Sequence, residues 1–463
     1  VTYRHLLKGN ADFRRLWTGQ VVSEIGDWLN SIAVLALTIQ LAGPGHQATA
    51  VAFYAIARHL PLFIFGPVAG VLADRLDRRH VMIAADCARA FLALGFLLAT
   101  RLQSLAVIYL VGASLFAVSA FFNAAKRATI PNLVRGSDEL LAANSLSAST
   151  TAATLALGSA LGGIISTFVG RDIVFILNAA TFLVSAEMIR RIHGSTRARK
   201  VLVNLRETEE KEESLRNAEE SLSITRANSR WSRMSGGGAL AVLRAAFVDF
   251  REGLAYVRRT DVLSALFIVA AGWGLGNGVA RALYSVFGAH LGEKAATGLV
   301  ARPTDFGISV LFIAMGLGGV IGAPIARRFN AGADETLGSR MGRSMFLDGC
   351  GLVLFSLMPN LWGASLVLIA REVNFAIWWT AQQTIIMSRT EDRYGGRVFA
   401  SYETLTTLMM VGSMLVSGAA ADTYGIKPVA LTGGAIIILS GLLWFLLRRR
   451  QRRGTRERSA ANA

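Results

Sequence analysis

The chain has 463 residues, of which 53% are hydrophobic and only 17% charged, and it carries 46 glycines and a formal net charge of +17. That balance excludes an ordinary soluble protein of two or three domains and makes a bilayer the better solvent. The two cysteines, Cys87 and Cys350, both fall inside apolar runs, which excludes a disulfide framework and a Cys-rich metal site; no metal and no cofactor is expected.

A helix needs about 20 mainly apolar residues to cross roughly 30 Å of hydrocarbon. Windows of that kind lie near 16–41, 50–72, 81–101, 105–123, 145–169, 173–192, 262–290, 304–326, 343–359, 362–387, 398–420 and 428–447, twelve in all. The first follows a charged, aromatic stretch (Phe13, Arg14, Arg15, Trp17) with no small-residue cleavage site. It therefore reads as a retained span, not a removed signal peptide.

Within span one, Asp27 lies about eleven residues in, which at 1.5 Å per residue puts it roughly 17 Å deep, near the midplane. A carboxylate at that depth is costly, so it is expected to face a cavity where it can trade protons or bind a cation. Glu24, one turn nearer the start, is the second candidate, and the alternative for Asp27 is a static pair with Arg58 of span two. Span two ends in "GPVAGVLADRLDRRH". There Gly66 and Gly70, four apart, suit close helix packing, and Asp74, Arg75, Asp77, Arg78 and Arg79 mark the membrane edge. In span three, Asp86 and Arg89 lie within two turns of that edge at i, i+3 spacing and read as support for the Asp74 region.

One long segment separates six spans from six. The expected organisation is a first bundle over 1–192, a linker over 193–261, a second bundle over 262–447 and a basic tail over 448–463. The linker begins with the Glu-rich "RETEEKEESLRNAEE", which cannot bury enough apolar area to order itself, leaving disorder or a solvated single helix. It ends with Leu243, Phe247, Phe250, Leu254 and Val257 at alternating spacings of four and three. That is an amphipathic helix lying on the membrane surface or against the bundle.

In the second bundle, "GWGLGNG" (Gly272 to Gly278) and "GLGGVIG" (Gly316 to Gly322) lack the Lys-Ser/Thr of a phosphate-binding loop and suit close helix contact. Span ten gathers Arg371, Glu372, Asn374, Trp378, Trp379, Gln382 and Gln383 near mid-depth. Neighbouring residues point about 100° apart on a helix, so Arg371 and Glu372 cannot both face a cavity. Glu372 is read as a titrating or substrate-contacting group, against the alternative of an interhelical ion pair. Arg58, Arg281, Arg371, Asn374, Trp378, Gln382 and Glu403 complete the candidate substrate contacts.

Most of the Lys and Arg residues fall in the termini and the even-numbered loops, while the odd-numbered loops hold only Arg101, Arg171, Lys294, Arg302 and Lys427. The basic charge is topological, placing both termini of a multi-pass membrane protein on the cytoplasmic side. The tail "RRRQRRGTRER" reads as a lipid-headgroup anchor, and no nucleic-acid partner is expected.

Six spans on either side of a cytoplasmic return give both halves the same orientation, a parallel pseudo-repeat. Three echoes support it. "GPVAGVLADRLDRR" is matched by "GGVIGAPIARRF", with Gly66, Gly70 and Arg75 against Gly318, Gly322 and Arg327. Asp86-Cys87 is matched by Asp348 to Cys350, and "RATIPNLVRGSDELLAANSL" by "QTIIMSRTEDRYGGRVFASYETL".

"GVLADRLDRR" resembles the signature between helices two and three of the major facilitator superfamily, with Asp77 in place of the usual small residue. "FRRLWTGQVVSEIGDWL", "NAAKRATIPNLV", "LLAANSLS", "DFREGLAYVRRT" and "GRVFASYETLTTLMMVGSMLVSGAAADTYG" resemble the exporter branch related to enterobactin and macrolide efflux proteins. The likeness covers nearly the whole chain apart from the Glu-rich insertion and the tail. It implies an all-α integral membrane fold of twelve transmembrane helices in two six-helix bundles, working as a proton-coupled antiporter. Departures are Ala125 where a Pro is common, "GSALGG" (Gly158 to Gly163) where a Gly-Pro pair is common, and the charged span ten.

Asp74 leaves span two on the side where span eleven begins near Arg397, whose helix start offers unpaired N–H groups. A carboxylate there gains about 0.3–2 kcal/mol, so Asp74 is expected to close a gate between the halves, with Gly70, Arg75, Arg78 and Arg79 completing the gating motif. Asp86, Arg89 and Arg397 would support it. In the second half Ala326 takes the Asp position, so one such latch is expected. The function expected is export of a small amphipathic molecule, a drug or siderophore, by a monomer coupled to protons and in contact with lipid. The alternatives are an importer or lipid transporter of the same fold, or a non-transporting sensor or scaffold. No His-Glu-x-x-His or Ser/His/Asp grouping points to an enzyme.

Overall fold

The computed structural model describes residues 3–193, 239–330 and 334–461, and within them all regular structure is helical. The Glu-rich stretch read at 206–220 lies outside the described residues. A short α1 (Tyr3–Gly9) leads into α2 (Ala11–Ala42), α3 (Gln47–Arg75), α4 (Arg78–Leu102), α5 (Leu105–Leu133), α6 (Gly136–Ile164) and α7 (Arg171–Arg190). The second half has α8 (Ala239–Val257), α9 (Asp261–Ala296), α10 (Pro303–Asn330), α11 (Asp334–Leu357), α12 (Leu361–Arg389), α13 (Asp392–Tyr424) and α14 (Ile426–Ala461).

Among the described residues eleven helices are long and apolar enough to cross a membrane. The exception among the expected twelve is α11, which carries Arg340, Arg343 and Asp348 and nonetheless packs against α12 and α14 like its counterparts. Its shortfall is one of composition, because part of its polar content is consumed inside the protein.

The pairing pattern repeats. In the first half α2 packs on α6 and α7, α3 on α5, and α4 on α5 and α7; in the second, α9 packs on α13 and α14, α10 on α12, and α11 on α12 and α14. The halves meet along two seams, α6 with α10 and α3 with α13. Two glycines of "GSALGG" serve the α2–α6 contact: a Cβ on Gly158 or Gly162 would lie 2.7 Å from the Ile25 or Leu29 carbonyl of α2. Only glycine admits so close an approach.

Helix ends on the Arg-rich side, here the basic face, are built by the motif at the end of α3. Asp77 caps α4, its Oδ1 accepting from the Arg79 backbone N–H at 3.0 Å, which accounts for a short acid at a position usually small. Arg78 is buried and donates to the carbonyls of Ala73 (3.1 Å) and Ala128 (2.7 Å), tying α4 to α3 and α5.

Gly66 and Gly70 depart from expectation. Neither would bring a Cβ within 4 Å of another group, whereas their repeat counterparts Gly318 and Gly322 lie against Ile369 and Val373 of α12. The glycines of α3 thus do not make the close helix contact of their repeat counterparts.

Candidate functional site

The halves are bonded at the opposite end, the far face. Asp305, at the start of α10 and fully buried, accepts from Arg171 Nε (2.9 Å) and Nη2 (2.6 Å) of α7 and from the Ser166 hydroxyl. Arg171 Nη1 also donates to Gln40. In the reverse direction, Arg302 donates to the carbonyls of Ser166 (3.1 Å) and Thr167 (3.2 Å). Those residues lie in a π turn, Ile165–Val169, that ends the α6 rod, and such a turn frees carbonyls from the regular ladder. On the other seam Asp422 of α13 accepts from the backbone N–H groups of Ala48 (2.9 Å) and Thr49 (2.8 Å), acting as a cap for α3 supplied by the opposite half.

At the basic face the gating residues are apart. Asp74 is 73% exposed, with Arg78 Nη2 3.4 Å away in its own half. Arg75 and Arg79 lie on the same corner, Arg79 donating to the Arg190 carbonyl. Arg397 is 3.4 Å from Glu252 of α8 and lies over the Tyr394 ring. The α8 helix sits against the bundle, with Tyr256 stacked on Tyr394 and the Phe250 carbonyl accepting from Ser401.

Between these ends, the first half presents two acid–base pairs. Glu24 accepts from Gln20 (2.8 Å) and Thr154 (3.1 Å) and stands 3.6 Å from Lys126. Asp27 stands 4.0 Å from Arg89, which also pairs with Asp86 and lies over the rings of Phe122 and Phe182. Asp86 and Arg89 are buried, while the Asp27 and Glu24 side chains are 28% and 20% exposed.

Two expectations change here. The partner of Asp27 is Arg89, not Arg58, which donates to the Ser31 hydroxyl (3.1 Å) and lies over Trp28 (4.9 Å) and Phe116 (5.0 Å). Asp86 and Arg89 do not support Asp74. Eight residues into α4, Asp86 stands about 12 Å along the helix from its start, and its charge is spent on Arg89 and, through it, Asp27.

The second half repeats the theme. Asp348 pairs with Arg371 at 3.1 Å, both buried, and Arg371 also donates to the Tyr284 hydroxyl. Glu372, 3.9 Å from Arg371, keeps 17% of its side chain accessible. Asn374 donates to the Ser344 carbonyl (2.7 Å), Trp378 stacks on Trp273 at 4.5 Å between ring centroids, and Gln382 accepts from Tyr402 (2.7 Å). Arg371, Asn374, Trp378 and Gln382 are thus turned into the interior of their own half, a correction to their reading as substrate contacts. The Glu372 stripe continues at four, three and four residues through Ala376 to Trp379 and Gln383, and Trp379 is 37% exposed.

Arg281 of α9 is exposed. Glu403 is exposed on a stripe with Thr407, Val411, Met414 and Gly418, of which Gly418 meets Ala48, Thr49 and Ala52 of α3. Among the described residues no group of His, Cys, Asp and Glu is arranged to hold a metal ion.

Lys126, Asp348, Asp305 and Asp422 carry contacts that the sequence did not assign. Lys126 fell just beyond the window ending at 123, although α5 continues to Leu133. Asp348 was visible only as an echo of Asp86.

Residues 8–247 match the family described as transmembrane secretion effector. Over 456 residues the chain is 24% identical to the uncharacterized MFS-type transporter YfiS of Bacillus subtilis (strain 168), covering 95% of this chain and 93% of that one. Macrolide efflux protein A of Streptococcus pyogenes is 23% identical over 432 residues, covering 92% and 93%. The fold is similar to the crystal structure of the nucleoside transporter NupG, with a TM-score of 0.65 at 10% identity over 94% of this chain and 99% of that one. The chain belongs to the transmembrane secretion effector family, in the exporter branch of the major facilitator superfamily.

Proposed function

We propose that the protein is a secondary active exporter that moves a small amphipathic molecule out of the cell in exchange for protons, by alternating access. The observation that carries the reading is the set of accessible carboxylates, Asp27, Glu24 and Glu372, held beside cations between halves that are bonded at the far face. Groups that can trade a proton for a substrate need exactly that mix of water access and apolar surroundings. The efflux named in one relative favours the outward direction.

With the basic face cytoplasmic, as the charge bias favours, the protein spans a bacterial inner membrane with both termini in the cytoplasm, and this conformation is inward-open. Asp27 is the primary proton-coupling residue, Glu24 and Glu372 the secondary ones. When the inner side closes, Asp74 moves to the start of α13 and Arg397 exchanges Glu252 for the gate. The protein acts as a monomer in contact with lipid.

A compound-susceptibility screen of a deletion strain tests the reading. Sensitivity to at least one amphipathic compound is expected, restored by the wild-type gene and not by Asp27→Asn expressed to the same level. Equal protection by both genes, or resistance of the deletion strain through loss of uptake, would contradict it.

A further inference from the structure

Helix α8 packs on α13 at the basic face and also touches α3, so it reaches both halves. Its end is anchored. Val257 is buried in the main core, and the Ser264 hydroxyl of α9 donates to the Val257 carbonyl at 2.8 Å.

The hold on α13 lies in the last two turns of α8. Tyr256 stacks on Tyr394 with ring centroids 4.4 Å apart, and its hydroxyl accepts from the Glu391 backbone N–H at 3.2 Å. Glu252 stands 3.4 Å from Arg397, and the Phe250 carbonyl accepts from the Ser401 hydroxyl at 3.1 Å. Gly253 is buried between these contacts, where a Cβ would lie 2.6 Å from the Arg397 carbonyl and against the Ser401 hydroxyl. Any larger residue forces the two helices apart. The opposite stripe of α8, Phe247, Arg251, Ala255 and Arg258, is exposed, so the helix is held from one side.

The face of α13 that α8 covers continues the seam between the halves. At the far end of that seam Gly418 meets Ala48, Thr49 and Ala52 of α3. Alternate steps of four and three residues lead from Gly418 back through Val411 and Thr404 to Arg397, and along α3 from Ala52 to Gly66, Gly70 and Asp74. Closing the seam over its whole length therefore brings the Asp74 end of α3 to the surface of α13 that Glu252 and Gly253 now hold. Two helices cannot pack on one stretch of surface, and packed interfaces exchange between discrete arrangements.

We infer that α8 is an autoinhibitory wedge: docked on the start of α13, it keeps the inner side from closing, and it swings out about its anchor at Val257 before Asp74 reaches the gate. This rests on the reading of Asp74 as a gate and adds the element that competes with it for α13.

The test is the distance between spin labels at His80 and Ser388, exposed residues at the basic-face ends of α4 and α12, in the full-length protein in detergent lacking Cys87 and Cys350. Gly253→Leu and Tyr256→Ala undock α8 through different contacts, so either carries the test if the other fails to fold. Each is expected to raise the short-distance, inner-closed population at least about fivefold, in line with the loss of one aromatic pair. The distance between labels at His46 and Lys427 on the far face should lengthen in step. Tyr256→Phe, which keeps the ring, should shift the distribution less than Tyr256→Ala. Unchanged distributions in whichever of the two variants folds, or a shift toward longer distances at the basic face, would overturn the wedge. Asp74→Asn added to either variant should cancel the gain. A gain that persists in the double variant would leave the wedge standing and contradict Asp74 as the gate.

Discussion

Asp305 and Arg171 face each other across the two halves as a fork, with the Asp305 carboxylate taking both Nε and Nη2 of the guanidinium at 2.9 and 2.6 Å. The acid is fully buried and the arginine nearly so, and the pair can separate only if the far face opens to water.

Asp305→Asn should therefore favour the state in which the far face is open. Hydrogen bonds to charged groups contribute about 1.5–3 kcal/mol, so the shift is on the order of 10- to 100-fold. Spin labels at His46 and Lys427, in a background lacking Cys87 and Cys350, would report it as growth of a longer-distance population. An unchanged distance distribution would mean that the pair does not hold the gate.

Asp422→Ala should act in the same direction and more weakly. The residue caps α3 through the N–H groups of Ala48 and Thr49, and loss of a cap costs about 0.5–2 kcal/mol. Because Asp422 and Asp305 lie on different seams, the double variant should show the sum of the single shifts in the same label pair.

Asp74→Asn should act in the opposite direction. The side chain is exposed in this conformation, so thermal unfolding of the resting protein should not change. The inner-closed state should lose up to about 2 kcal/mol of helix-end stabilisation. Added to Asp305→Asn, it should pull the label distances back toward the wild-type distribution.

Asp348 and Glu372 separate structure from chemistry. Asp348→Leu strands the buried Arg371 and should cost about 3–5 kcal/mol, seen as a lowered unfolding midpoint in detergent. Glu372→Gln should leave the midpoint nearly unchanged and reduce transport.

Helix length and charge asymmetry carried the architecture into the sequence. Twenty apolar residues in a row have few other uses, and Arg and Lys are excluded from one side of a bilayer. Depth was legible too, which is why Asp27 could be singled out. Partners were not, because Asp27 meets Arg89 only after α2 and α4 pack, and nothing in the spacing of Arg58 distinguishes it as a candidate partner from Arg89. Polar residues of span ten were misread for a related reason: Asn374, Trp378 and Gln382 satisfy α9, α11 and α13 within their own half, and a sequence does not say which face of a helix meets its bundle. Asp305 in the first turn of α10 looks like any acid placed for a helix dipole. Its role appears only with Arg171 beside it.

Uptake into inverted membrane vesicles of the compound that most inhibits the deletion strain, driven by an inside-acid pH gradient, bears on the whole mechanism. Uptake by the wild-type protein should collapse with a protonophore and should be lost in Asp27→Asn that still folds. Uptake that ignores the gradient, or that Asp27→Asn sustains at the wild-type rate, would contradict proton-coupled export through this site.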